Sequence, residues 1–77
     1  MAKRKADQVY AKVVVRLKEL RKSQGISHEK LAAMAGVTRS AISFTESGKT
    51  NPTFYLCLKI AEALGVSLGD LIKEVEE

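Results

Sequence analysis

Residues 26–48, Ile-Ser-His-Glu-Lys-Leu-Ala-Ala-Met-Ala-Gly-Val-Thr-Arg-Ser-Ala-Ile-Ser-Phe-Thr-Glu-Ser-Gly, constrain the fold more than any other part of the chain. Two short stretches with helical apolar spacing flank Gly36. Ser27 is a good N-cap, and Leu31, Ala32 and Ala35 form one apolar stripe behind it. Gly36 takes up left-handed backbone without steric cost, so the first of the two helices is expected to end there. Val37 fills the corner. Thr38 caps a second helix in which Ile42 points inward, while Arg39, Ser40, Ser43 and Phe44 fall on the outward face.

The rest of the chain extends this pattern into five helices without a strand. Residues from about 7 to 24 form the first, with Val13, Val14, Leu17 and Leu20 at helical spacing. Val13-Val14-Val15 favours a strand locally, but Lys12, Arg16, Leu17, Lys18 and Glu19 around it favour a helix. Gly25 ends this helix and Ile26 packs across the turn. The second helix covers about 28–35 and the third about 39–47. Pro52 and Thr53 open a fourth that runs to Leu64, with Cys57, Ile60, Ala61 and Leu64 inward. Ser67-Leu68-Gly69-Asp70 has the form of a capping box and opens a fifth, to about Val75. The expected organisation is a flexible basic arm over residues 1–6 and one all-α domain over 7–77.

With 77 residues and 45% hydrophobic content, one small core is feasible and oligomerisation is a common supplement. The single cysteine allows no internal disulfide and fits a reducing, cytoplasmic setting. No run approaches the roughly 18 apolar residues of a membrane span. Met-Ala-Lys-Arg-Lys has the charge of a signal peptide's start, but Asp7, Gln8 and Lys12 follow where apolar residues would be needed. Charge is polarised. Residues 1–50 hold 11 Lys/Arg against 4 Asp/Glu, and residues 51–77 hold 2 against 5. One face is thus suited to phosphates.

A small, polar, outward-facing helix held by a tight turn is what a DNA major groove admits. Arg39, at the start of that helix, can grip guanine O6 and N7 or clamp a phosphate; base reading is the expectation. Ser40 and Ser43 can bond to bases or phosphates and are placed with the base readers. Phe44 has two places to go: onto thymine methyl groups, or against the fourth helix. Ser47, Lys49, Thr50 and Asn51 follow in a donor-rich loop suited to the DNA backbone. The capping hydroxyls of Ser27 and Thr38 are placed with these backbone contacts. Lys3, Arg4 and Lys5 form a basic arm that either enters a neighbouring groove or serves as a charged tail.

Leu17-Lys-Glu-Leu-Arg-Lys-Ser-Gln-Gly-Ile-Ser, through Gly36-Val37-Thr38, Ile42-Ser43, Glu46-Ser47-Gly48, Asn51-Pro52-Thr53 and Ala63-Leu64-Gly65-Val66-Ser67 to Leu71, resembles the phage-repressor-like helix-turn-helix family of the Xre/Cro type. The resemblance implies a five-helix bundle that binds operator DNA as a two-fold dimer and regulates transcription. It also implies an ion pair between Arg21 and Glu46, pinning the recognition helix to the first helix. Members often carry Gln at the position of His28, where the amide touches a backbone phosphate or braces the recognition helix. His can donate a similar hydrogen bond, with a charge that varies with pH, and His28 is placed with the DNA backbone contacts. Lys30 stands where Glu often completes a capping box with Ser27. Restriction–modification controllers, phage repressors and antitoxins share this plan, and the sequence does not decide among them.

Surplus apolar residues point to where two copies would meet. The fourth helix leaves Tyr55, Leu56 or Leu58 partly uncommitted, and the fifth offers Leu68, Leu71, Ile72 and Val75. Leu58, Leu68, Ile72 and Val75 are the expected dimer interface. Cys57 and Met34 read as packing residues. One His and one Cys, far apart, give no metal cluster, and no Gly-rich phosphate loop is present, so neither enzyme, cofactor, metal nor small-molecule ligand is expected. The expected partners are double-stranded DNA and a second copy of the chain. The alternative is an antitoxin-like module whose main partner is another protein.

Overall fold

Leu31 and Ile42, one on each side of the Gly36 turn, are the two most deeply buried large side chains. A computed structural model describes residues 5–48 and 51–76, and its helices are arranged around this pair. They are α1 (Lys5–Ser23), α2 (His28–Ala35), α3 (Arg39–Ser47), α4 (Phe54–Ala63) and α5 (Leu68–Glu76). Among the described residues there is no strand. α1 packs on α3 and α5, while α2 packs on α3 and α4. Val13 and Leu17 of α1, Ala32 of α2, Ile60 and Ala61 of α4, Leu64, and Leu68 and Leu71 of α5 complete the core. Each Val, Leu or Ile among them stabilises the fold by about 1.5–3 kcal/mol through burial, and each Ala by less.

The caps follow the sequence closely. Ser27 accepts from the N–H of Lys30, Thr38 from that of Ala41 and Thr53 from that of Leu56, at 3.0, 3.1 and 3.0 Å. Ser67 accepts from Asp70 N–H at 3.2 Å, which starts α5. Gly36 has φ 69° and ψ 38°, and the Val37 N–H returns to the Ala32 carbonyl at 3.0 Å. That closure turns the chain sharply enough to lay α3 across α2. At the far end of α1, the Gln24 side-chain amide donates to the Leu64 carbonyl at 2.8 Å, satisfying the C-terminus of α4.

Three expectations need correction. α1 begins at Lys5, so Lys5 and Ala6 belong to the helix rather than to an arm; Lys3 and Arg4 lie outside the described residues. Leu68 is only 5% exposed and sits in the core, so it is unavailable to a second copy. The reason is geometric. Residues 68, 71, 72 and 75 form a single stripe at helical spacing, and the whole stripe turns inward, with Ile72 and Val75 half-buried against the same core. Met34, expected to pack, is exposed on α2. Three of the exposed large apolar residues lie together on α4, where Phe54, Tyr55 and Leu58 are 68%, 67% and 41% exposed.

Candidate nucleic-acid interface

α3 has an inner and an outer side. Ile42 and Thr45 are buried, and the Thr45 hydroxyl donates back to the Ala41 carbonyl at 2.7 Å, so no polar group is stranded. Arg39 and Ser40 point into solvent at the N-terminal end, and Ser43 is half-buried on the side facing α1 and α2. Phe44 is 48% exposed, so about half of the side chain is open to solvent.

The other end of α3 is held by charge. Glu46 accepts from Arg21 Nε through Oε2 at 2.6 Å and from Arg21 Nη2 through Oε1 at 3.0 Å. His28 Nε2 lies 2.9 Å from Oε1 of the same carboxylate. Because a carboxylate only accepts, that ring nitrogen carries the proton. Arg21 Nη1 also donates to the Ile26 carbonyl at 2.7 Å. One acidic side chain on α3 thus ties together α1, α2 and the turn between them. Burial disfavours ionisation of Glu46, but the hydrogen bonds and positive charge of Arg21 and His28 outweigh it and hold the carboxyl below its usual range. His28, expected at the DNA backbone, therefore has Nε2 committed to bracing the recognition helix.

The remaining residues separate by what their hydrogens do. As caps, Ser27 and Thr38 use an acceptor lone pair, and each hydroxyl proton stays available to an anion. Ser47, expected among the phosphate donors, instead donates its proton to the Phe44 carbonyl at 2.9 Å. Asn51 is exposed, while Lys49 and Thr50 lie outside the described residues. Burial pushes the Cys57 thiol up, as suits a packing residue. Phe54 was missed in the sequence; its place directly after the Thr53 cap, on the first turn of α4, was the available signal. Among the described residues there is no cluster of His, Cys, Asp and Glu that could hold a metal, and no helix long and apolar enough to cross a membrane.

A sequence profile described as helix-turn-helix matches residues 17–71, which runs from the middle of α1 into α5. The HTH-type transcriptional regulator PuuR of Escherichia coli is 37% identical over 62 residues, covering 80% of this chain and 34% of that protein. The chain thus spans about a third of the length of that relative. An uncharacterized HTH-type transcriptional regulator of Archaeoglobus fulgidus is 41% identical over 56 residues, covering 73% of this chain and 80% of the relative. The uncharacterized HTH-type transcriptional regulator YgzD of Bacillus subtilis is 39% identical over 62 residues, covering 80% and 94%. With the turn at Gly36, the buried side of α3 and its exposed polar side in place, the chain belongs to the Xre/Cro-like helix-turn-helix family of DNA-binding transcriptional regulators.

Proposed function

We propose that the protein binds double-stranded DNA as a homodimer on an inverted-repeat operator, with one α3 in each of two major grooves about 34 Å apart. The observation that carries this reading is the division of α3: Ile42 and Thr45 are buried, Glu46 is clamped, and Arg39 and Ser40 stand free at the end where side chains reach base edges best. Arg39 reads guanine, and Ser40 and Phe44 contribute hydroxyl and methyl contacts beside it. Ser27, Thr38 and Asn51 meet the backbone, along with Lys49 and Thr50.

Two copies join through α4, where Phe54, Tyr55 and Leu58 carry the exposed apolar surface, with Ile72 and Val75 at its margin. Exposed apolar residues grouped on one helix are the kind of surface that marks an interface. Contact there leaves the basic side of each copy free to face the same duplex.

Selection from random-sequence duplexes tests this reading. A two-fold consensus with half-sites one helical turn apart is expected. Recovery of unrelated sequences after repeated rounds would overturn the proposal of a specific operator.

A further inference from the structure

Beside the recognition helix lies a cleft of about 330 Å³ to which three helices contribute. α1 supplies Lys18 and Lys22, one turn apart on the same face; α3 supplies Ser43; α2 supplies His28 from its first turn. The floor is the Arg21–Glu46 pair. Glu46 is the one carboxylate among the lining residues, and both its oxygens are taken up by Arg21 and His28. Arg21 cancels its charge. Among the described residues, neither Lys18 nor Lys22 has a carboxylate within ion-pairing distance. The cleft therefore has two uncompensated ammonium groups on one wall and an uncommitted hydroxyl, Ser43, on the other. Low-dielectric walls focus the field of those charges, and the N-terminal end of α2 adds the positive end of its dipole.

We propose that this cleft seats one backbone phosphate of the bound duplex, held by Lys18, Lys22 and the hydroxyl of Ser43. The inference rests on the DNA-binding reading above and extends it. Lys18 and Lys22 lie on α1, outside the helix-turn-helix unit itself, and Ser43 turns from base reading to the backbone. The consequence is positional. A phosphate fixed on the side of α3 that faces α1 sets how far the helix rolls in the groove, and so which base edge Arg39 meets.

The test measures affinity for a random-sequence duplex across a range of salt, using the wild-type chain, Lys18→Ala/Lys22→Ala, and Lys12→Ala/Lys73→Ala as a control with equal loss of charge. Circular dichroism checks that each is folded. The seat requires the slope of log affinity against log salt to fall by about one per bound protomer in the first variant, because one phosphate contact is lost. The control keeps the wild-type slope. A second arm uses Ser43→Ala, which weakens selected and random duplexes by the same factor. On a selected duplex, replacing the seated phosphate by an uncharged methylphosphonate weakens the wild type and leaves the lysine double variant unaffected. If the wild type binds with a steep slope and the two double variants match each other, the seat is wrong. A wild type without salt-dependent binding would overturn the DNA reading itself.

Discussion

Arg21 and Glu46 meet through two hydrogen bonds, 2.6 and 3.0 Å long, with only 11% and 9% of their side chains exposed. The pair joins the last turn of α1 to the end of α3, and His28 closes it from α2. Its role is orientation: three helices converge on one carboxylate, so the aim of the recognition helix depends on that carboxylate's charge.

That dependence sets a pH response. The Glu46 carboxyl is held below its usual range, so the stability it contributes is present above about pH 4.3, the unfolded-state value. It is lost as pH falls through the lower folded-state value. Glu46→Gln removes the contribution, leaves Arg21 without its counter-charge, and should cost about 3 kcal/mol at neutral pH. Urea unfolding from pH 7 down to pH 2 is the measurement. The gap between wild type and variant should narrow in acid, and a constant gap would contradict the assignment.

Gly36→Ala should destabilise the fold by about 1–2 kcal/mol through backbone conformation alone. A β-carbon there meets nothing within 4 Å, so the φ of +69° is the whole cause. Gly36→Asn should lose less, because Asn tolerates this conformation better. Thermal unfolding of the two variants gives the order, and an alanine variant as stable as wild type would exclude a left-handed turn.

Arg39→Ala should cost about 1–3 kcal/mol on a selected operator and relax the preference at one position in each half-site. Random duplexes should lose much less. Competition binding measures both, and an equal loss on both would move Arg39 from bases to phosphates.

The α4 surface carries the dimer prediction. Phe54→Glu and Leu58→Glu place charge on exposed apolar positions, so the monomer fold should survive while association is lost. Ile72→Glu should damage the fold itself, because Ile72 packs against the core. Sedimentation with circular dichroism separates the two outcomes. Folded Phe54 and Leu58 variants that remain dimeric would place the contact elsewhere.

Helix bounds were legible wherever a cap and a glycine bracketed an apolar stripe. Ser27 with Gly36, and Thr38 with Gly48, delimit α2 and α3 as the residue pattern requires. The split between core and surface was less legible on α4 and α5. Leu58 and Leu68 are the same residue type at the same kind of helical spacing, and only packing against α1 decides that Leu68 goes inward. At the site, the family resemblance pointed to Arg21 with Glu46. His28 was placed with the backbone phosphates, but an imidazole serves as phosphate contact or as brace, and only the 2.9 Å distance to Glu46 identifies its partner. Lys18 and Lys22 carried no sequence signal beyond their charge, because a cleft between α1 and α3 is a tertiary feature.

The central claim is that the basic side of this domain meets the phosphates of a duplex, with α3 in the groove. Affinity for double-stranded DNA as a function of salt tests it most directly. A dimer making about 6–10 phosphate contacts should lose roughly 1,000-fold or more in affinity between 50 and 200 mM salt. A flat dependence across that range would contradict the claim.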